Sequence, residues 1–137
     1  MFIDDEAINI EVFYKKIGFH YITYNTSDFN ELELDESEQK KFKQLSLKMR
    51  PLTWGLYNDL QESAMIEDGM GNRHFNYRIY KENRLLKLII SWNAITDEKP
   101  VKINPRALAQ LAPDIAETIL AEYDNIALIG DGEEKKS

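Results

Sequence analysis

The residues that could perform acid–base or metal chemistry are few and scattered along the chain. The two histidines, His20 and His74, lack a second ligand at a metal-binding spacing such as H-E-x-x-H. Adjacent carboxylates occur at Asp4–Asp5, Asp35–Glu36, Glu67–Asp68 and Asp97–Glu98. A general acid needs an apolar pocket that raises its pKa, and all four pairs fall in predicted loops or at the ends of elements. The sequence therefore predicts no catalytic, metal or cofactor site.

The sequence also lacks a clear candidate for a nucleophile or for a residue that stacks on a ligand. The chain has no cysteine, which excludes disulfides and thiolate sites, and it contains no nucleophile elbow, Walker loop or kinase signature. Trp54 and Trp92 could stack a ligand, but both lie beside leucines and tyrosines in predicted helices, where a tryptophan is typically a core anchor. We expect a protein that is not an enzyme.

Charge and hydropathy limit the partners. The 137 residues carry 24 Asp and Glu against 17 Lys and Arg, a formal net charge of −7, whereas nucleic-acid binding requires clustered positive charge. Two basic sets are typical of solvated faces: Lys40, Lys41, Lys43, Lys48 and Arg50, and the stripe Lys81, Arg84 and Lys87. The acidic N-terminus does not resemble a signal peptide, and no run approaches about 18 apolar residues. We expect a soluble cytoplasmic protein without nucleic-acid or membrane partners.

The first third of the chain reads as extended structure. Apolar and polar residues alternate from Ile8 to Tyr14 and from Phe19 to Tyr24, and Gly18 lies in the link between them, as a hairpin turn favours. Residues 25–30 are turn-rich. Residues 42–49 fit either a strand or a helical face. We favour a strand, in which Leu45, Leu47 and Met49 alternate. Pro51 disfavours helical geometry in the residue before it, so a helix here would end at Arg50.

The remainder reads as helical. Thr53 is placed to cap a helix that contains Trp54, Gly55 and Tyr57 and runs to about Met65. A loop over 67–76 precedes a buried helix from Tyr77 to Trp92. After a loop over 93–103, Asn104 and Pro105 should cap and begin a short helix, and Pro113 should begin the last one. The apolar face of that last helix should be supplied by Ile115, Ile119, Leu120 and either Tyr123 or Ile126.

These segments predict an α+β fold that is mainly α. An N-terminal β-hairpin and an extended segment would precede a compact bundle of about four helices. We expect one domain over 1–129, followed by a disordered tail over 130–137. Within the domain we distinguish three regions: a β-hairpin and extended region over residues 1–34, a polar linker over residues 35–41 and a mainly helical region over residues 42–129.

Three stretches in the last two-thirds of the chain form a recognisable order. RPLTWGLYNDLQ comes first, followed by LLKLIISWN and then NPRALAQLAPDIAETIL. This order, over about residues 45–126, resembles the tail assembly chaperones of long-tailed bacteriophages. Their sequences often contain L-T-[WF]-G-E-Y, a helix ending in W-[ND], and L-x-P-x-I-x-x-x-I. The positions that carry the resemblance are Pro51, Thr53, Trp54, Gly55, Tyr57, Trp92, Asn104, Pro105 and Pro113. Leu56 departs from it, because the family often has an acidic residue there.

The resemblance implies a non-enzymatic chaperone in the host cytoplasm. Such proteins bind the tape-measure protein, help tail-tube subunits assemble around it, and are generally absent from the finished virion. Self-association is compatible with this role. Exposed apolar residues would contact the partner, and we select these candidates: Tyr14, Phe19, Tyr21, Tyr24, Met65 and Met70.

Two alternatives remain open. The first is a structural baseplate or neck component that stays in the virion. The second is an enzyme or small-molecule binder whose pocket lies between hairpin and helices, around Trp54, His20 and Tyr57. A buried carboxylate or histidine in such a pocket would favour the second alternative.

Overall fold

The computed structural model describes residues 6–96 and 98–127. These residues form eight strands and six helices. The strands are β1 (Ile8–Ile17), β2 (His20–Asn25), β3 (Lys43–Met49), β4 (Met65–Glu67), β5 (Arg73–Phe75), β6 (Ile89–Trp92), β7 (Ile95–Thr96) and β8 (Lys99–Pro100). The helices are α1 (Thr26–Glu31), α2 (Glu36–Gln39), α3 (Trp54–Ser63), α4 (Tyr77–Leu88), α5 (Pro105–Ala109) and α6 (Pro113–Ala127).

The central element is a four-stranded antiparallel sheet in the order β2-β1-β3-β6. Strand β1 pairs with β3 from Ile8 opposite Met49 to Tyr14 opposite Lys43. Successive side chains of a strand point to opposite faces of its sheet. The alternating apolar residues of β1 and β3 therefore share one face, which the structure buries.

The main core lies between that face and the helices. Helix α6 packs against β1 and β2, and α3 and α5 both pack against α4. The core contains Ile10, Val12, Leu45, Leu47, Met49, Leu60, Leu85, Leu88, Ile89, Ile115, Ile119, Leu120 and Tyr123. Of the residues predicted for the apolar face of the last helix, Ile115, Ile119, Leu120 and Tyr123 are among them, whereas Ile126, the alternative to Tyr123, is 47% exposed. At about 25 cal/mol per Å² of apolar surface, this burial is the main stabilising contribution to the fold.

A smaller aromatic cluster covers part of the opposite face of the sheet. The ring of Phe29, on α1, stacks on Phe13 with 4.2 Å between centroids, and lies 5.1 Å from the ring of Phe42. Tyr24 contacts both Phe29 and Phe42. Asn25 holds α1 against the strands, because its side chain accepts a 2.7 Å hydrogen bond from the Asp28 N–H and caps the helix. The sheet is therefore packed on both faces at this end.

The expected mainly α bundle of about four helices is wrong. The predicted helix from Tyr77 to Trp92 ends at Leu88, and residues 89–92 form the edge strand β6. The Leu88 carbonyl accepts a 2.8 Å bond from the Arg50 N–H, and β6 then pairs with β3. A run with apolar residues on most sides was predicted to be a buried helix, but such a run fits a buried strand equally well. Isoleucine and tryptophan, at Ile89, Ile90 and Trp92, also favour strands.

The Trp92–Asn93 pair ends β6 rather than a helix. The Trp92 indole Nε1 donates to the Val101 carbonyl at 2.7 Å. The Asn93 N–H donates to the Ser46 carbonyl at 3.1 Å, while its side-chain oxygen accepts from the Ser46 N–H at 2.8 Å. One asparagine thus satisfies both backbone groups of Ser46 on β3 where the ladder stops.

The helix starts follow the predicted caps. The Thr53 hydroxyl accepts from the Leu56 N–H at 3.2 Å, and the Asn104 side chain accepts from the Ala107 N–H at 2.8 Å. Pro105 and Pro113 are the first residues of α5 and α6. Proline fits there because the first backbone N–H groups of a helix have no intrahelical acceptor.

Several segments predicted as irregular contain short elements. The turn-rich stretch 25–30 is largely α1, the 35–41 linker contains α2, and the predicted loops 67–76 and 93–103 contribute to the two-stranded sheets β4–β5 and β7–β8. Asp35 caps α2 by accepting from the Glu38 N–H. Such elements are too short to show a hydrophobic period. The expected disordered tail over 130–137 lies outside the described residues.

A polar network joins α4, α6 and the segment before α3. The Tyr123 hydroxyl donates to the Arg50 carbonyl at 2.7 Å. The Arg84 guanidinium lies 5.6 Å from the Tyr80 ring centroid and 5.7 Å from that of Tyr123, and it pairs with Asp124. Arg84 is buried, so the solvated stripe predicted for Lys81, Arg84 and Lys87 is wrong at its middle member.

We predict that alkali destabilises the fold through Tyr123. Burial raises the pKa of its phenol from 10.0 to about 12. Between these values the unfolded chain loses this proton while the folded chain keeps it, so stability falls as pH rises from about 10 towards about 12. At about 1.4 kcal/mol per pH unit, the loss from this group is about 2–3 kcal/mol. Denaturant unfolding at stepped pH measures it, and Tyr123→Phe should flatten the profile. An equally steep profile in that variant would contradict the assignment.

Candidate functional site

Those residues considered first for acid–base and metal chemistry that the structure describes do not form a site; Asp4, Asp5 and Asp97 lie outside the described residues. His20 and His74 are both exposed. Within residues 6–96 and 98–127, no three His, Cys, Asp or Glu side chains are grouped to hold a metal ion. The pKa of Asp35 is lowered chiefly by a hydrogen bond from the Glu38 N–H, and that of Asp68 by bonds from the Met70 and Asn72 N–H groups. Asp35 caps α2, and Asp68 stabilises the turn between β4 and β5. A general acid needs the opposite pKa shift.

The alternative pocket around Trp54, His20 and Tyr57 is not formed. All three side chains are exposed. His20 begins β2 beside the hairpin turn, whereas the other two lie on α3. The prediction that Trp54 anchors the core is wrong, because its side chain is 81% exposed. Position explains this: Trp54 is the first residue of α3, and the buried face of that helix is formed further along by Leu60, with Ala64 just after its end.

The six candidate partner-binding residues are not brought together. Phe19 lies at the tip of the β1–β2 hairpin with its side chain 99% exposed. Met70 is also well exposed, in the turn between β4 and β5, whereas Met65 in β4 is partly buried. Phe19 and Met70 therefore remain available to a partner, at separate places on the molecule.

The three hairpin tyrosines mainly support the fold. Tyr14 and Tyr21 meet edge to face at 5.9 Å and pack against the main core. Burial, followed by the neighbouring Tyr21, raises the pKa of Tyr14. Tyr24 belongs to the aromatic cluster on the opposite face of the sheet. Little of these rings is left for a partner.

A different set of rings forms the most pronounced apolar surface. We call it the aromatic surface, and it consists of Trp54 and Tyr57 on α3, Phe75 at the end of β5, and Tyr77 and Tyr80 on α4. The Phe75, Tyr77 and Tyr80 rings are in mutual contact, with centroids 5.1–6.2 Å apart. Burial raises the pKa of Tyr80, and the nearby Tyr57 phenol contributes to the rise. Trp54 precedes Tyr57 by three residues and is therefore its neighbour on the helix surface.

Capping interactions hold the two helices that carry these rings. Asn76 caps α4 by accepting from the Ile79 N–H at 2.9 Å, and its own N–H donates to the Ala64 carbonyl at 2.7 Å. The Asn83 amide donates to the Ser63 hydroxyl at 2.9 Å. Because these bonds tie the end of α3 to α4, the exposed rings lie on fixed backbone. A fixed surface loses less conformational entropy on binding than a flexible loop does.

Charged side chains border the aromatic surface on the α4 side. The Lys81 ammonium lies 5.6 Å from the Tyr77 ring centroid and 2.8 Å from a Glu117 carboxylate oxygen on α6. Beyond Lys81, a cleft of about 440 Å³ lies between α4, α5 and α6. Leucines from all three helices line it: Leu85, Leu86, Leu108 and Leu120. An apolar cleft with a charged border is the kind of groove that receives an amphipathic helix.

Sequence reasoning did not find the aromatic surface, although a signal was present. Trp54 and Tyr57 on one helix, and Tyr77 and Tyr80 on another, share the spacing of three residues that places rings side by side. Both pairs begin their helices. The same spacing is typical of a buried stripe, so only the packing of α3 against α4 shows which rings remain exposed.

Comparisons with protein-family models, curated proteins and solved structures found no match to this chain. The resemblance to phage tail assembly chaperones therefore rests on the three quoted stretches. Among the described residues, no helix is long and apolar enough to cross a bilayer.

Proposed function

We propose that this chain is a non-enzymatic tail assembly chaperone of a long-tailed bacteriophage. It binds the tape-measure protein through the aromatic surface in the host cytoplasm, and so keeps that protein competent while the tail tube assembles around it. The observation that carries the binding role is the group of rings on α3, β5 and α4, of which Trp54, Tyr57, Phe75 and Tyr77 are exposed. The phage assignment is supported by the order of the three sequence stretches.

The chemistry of the surface suits a protein partner. Tryptophan, tyrosine and phenylalanine are enriched in protein interfaces, where a few of them supply most of the binding free energy. Isolated exposed apolar residues are common on monomers, but a contiguous group marks an interaction site. The neighbouring cleft offers room for apolar side chains of a helical client. The net charge of −7 keeps such a complex soluble.

The proposal is tested by co-expressing the chain with the tape-measure protein of the same phage. We expect the two to copurify and the tape-measure protein to be more soluble than when expressed alone. The double variant Trp54→Ala/Tyr77→Ala should weaken binding by about 30-fold or more, because central aromatic residues typically contribute about 2 kcal/mol or more each. Binding is measured by calorimetry with a soluble client fragment.

Ile95→Ala is the matched control. Ile95 is 66% exposed on β7 and lies outside the aromatic surface, so its loss should leave the affinity unchanged. Circular dichroism should show that all variants keep their helix content. Equal affinity of the double variant and the wild type would contradict the binding surface. Stoichiometric amounts of this chain in purified virions would contradict the chaperone role and favour a structural component.

A further inference from the structure

The β1–β2 hairpin ends in a basic and apolar tip. We call Lys15, Lys16, Ile17, Phe19 and His20 the basic tip. Strand β1 pairs with β3 only as far as Tyr14 opposite Lys43, so residues 15–17 pair with β2 alone. At about 3.3 Å per residue, the hairpin extends about 10 Å past the end of β3. Gly18 has a φ of +62°, as the first position of a tight two-residue turn requires.

The tip is exposed and carries unneutralised charge. Phe19 and Ile17 are 99% and 46% exposed. In the described stretches of the chain, Lys15 and Lys16 form no ion pair with a carboxylate, and Lys15 instead lies 5.5 Å from the Phe42 ring centroid. An exposed phenylalanine beside two free ammonium groups favours a partner surface that is acidic and has room for a ring.

Such a surface lies further along the same strand. A groove of about 380 Å³ runs between β2 and α6, and we call it the acidic groove. Four carboxylates line it: Asp28, Asp114, Glu117 and Glu122. None of its described lining residues is a lysine or arginine. Two of the lining side chains, Thr118 and Ala121, are small. Glu117 pairs with Lys81, so the other three carboxylates supply most of the uncompensated charge.

The basic tip and the acidic groove follow one another along β2, so this edge of the molecule is self-complementary in charge. Asp114 accepts a 3.2 Å bond from the Tyr21 N–H, which places the start of the groove directly after the tip. The groove continues to Asn25 and Asp28 at the other end of β2. When two copies are related by a two-fold axis near Tyr21, the basic tip of each lies over the acidic groove of the other. A parallel arrangement would instead bring like charges together.

We propose that the chain forms an isologous homodimer through this edge, with Phe19 of each copy seated in the acidic groove of the other. In an isologous interface the same patch serves both subunits, so each favourable contact occurs twice. The charge contacts orient the partners and speed their association, and the ring supplies the apolar anchor. The proposal is independent of the phage assignment, because it needs no client protein.

Sedimentation velocity of the purified chain over a range of concentrations tests the proposal. We expect a monomer–dimer equilibrium that weakens by about tenfold when salt rises from about 50 mM to about 500 mM, since exposed charges are then screened. Phe19→Ser should weaken the dimer by about tenfold or more without changing the charge. Met70→Ser, which also removes an exposed apolar side chain but lies in the turn between β4 and β5, should leave it unchanged. A wild-type chain that stays monomeric at low salt would overturn the proposal.

Charge reversal distinguishes this geometry from other contacts. Lys15→Glu/Lys16→Glu makes both tip and groove acidic. Asp28→Lys/Glu122→Lys sets two lysines in the groove against Asp114, the remaining carboxylate without an ion pair, so the groove no longer attracts the basic tip. Each variant alone should therefore be monomeric. Mixed in equal amounts they should form a heterodimer, because each tip then meets a groove of opposite charge. If the mixture stays monomeric, or either variant alone dimerises like the wild type, the tip-to-groove contact is wrong. Circular dichroism of each variant establishes that it is folded.

Discussion

Replacing Tyr123 by alanine is expected to lower the free energy of unfolding by about 3–5 kcal/mol, the cost of removing a large aromatic side chain from a packed core. Tyr123 is 0% exposed and belongs to the main core. Its ring also contacts the Arg84 guanidinium, and its hydroxyl donates a hydrogen bond to the Arg50 carbonyl. Natural domains have only about 5–15 kcal/mol of stability, so this single change should remove a large fraction of it. Denaturant titration followed by circular dichroism measures the effect.

Tyr123→Phe distinguishes the contribution of the hydroxyl to stability from that of the ring. Phenylalanine keeps the volume and leaves the Arg50 carbonyl without its donor, so the expected loss is about 1 kcal/mol. A loss in Tyr123→Ala no larger than in Tyr123→Phe would show that the ring is not in a packed core. That outcome would contradict the placement of α6 on the sheet.

The second large effect concerns the buried ion pair of Arg84 and Asp124. Asp124→Asn is expected to cost about 2–3 kcal/mol, because it leaves the Arg84 charge buried without a counter-ion. The Arg84 and Asp124 side chains are 8% and 36% exposed. Water therefore reaches the carboxylate, and we place the cost below that of a fully buried pair.

The reverse change should be milder, and this asymmetry is the test. Arg84→Met keeps an apolar stem of similar volume between the Tyr80 and Tyr123 rings and leaves behind a carboxylate that water can solvate, so we expect a loss of about 1 kcal/mol. Unfolding of both variants should be compared at one pH. A greater loss in Arg84→Met than in Asp124→Asn would contradict the burial assigned to the two partners.

The sequence predicted the features that depend on local chemistry. Thr53, Asn104 and the two prolines specify helix starts through bonds made within three residues of each cap. The alternation of Leu45, Leu47 and Met49 favoured a strand in the ambiguous segment 42–49, and the structure has one there. Pro51 marks the end of that segment through a steric effect on Arg50. Such rules act over one helical turn, and they hold wherever the rest of the chain goes.

Features that depend on distant partners could not be predicted in this way. Residues 85–92 are compatible with a helix or a strand, and the bond from the Arg50 N–H to the Leu88 carbonyl joins positions 38 residues apart. The aromatic surface has the same origin. The spacing of Tyr77 and Tyr80 was visible, but whether those rings are covered depends on the position of α3. The spacing of apolar residues along the chain shows which of them share a face of a helix, but it does not show which part of the protein packs against that face.

Strand β6 also has a consequence for the order in which the chain folds. Strands β1 and β2 are joined by a two-residue turn, and once this hairpin has formed, β3 reaches β1 across residues 26–42. The fourth strand can join only after the chain has returned from Arg50 to Leu88 through α3, the β4–β5 hairpin and α4. Closing a longer loop costs more conformational entropy and slows pairing. We therefore expect the β1–β2 hairpin and its pairing with β3 to form early, and completion of the sheet to follow the docking of α3 on α4.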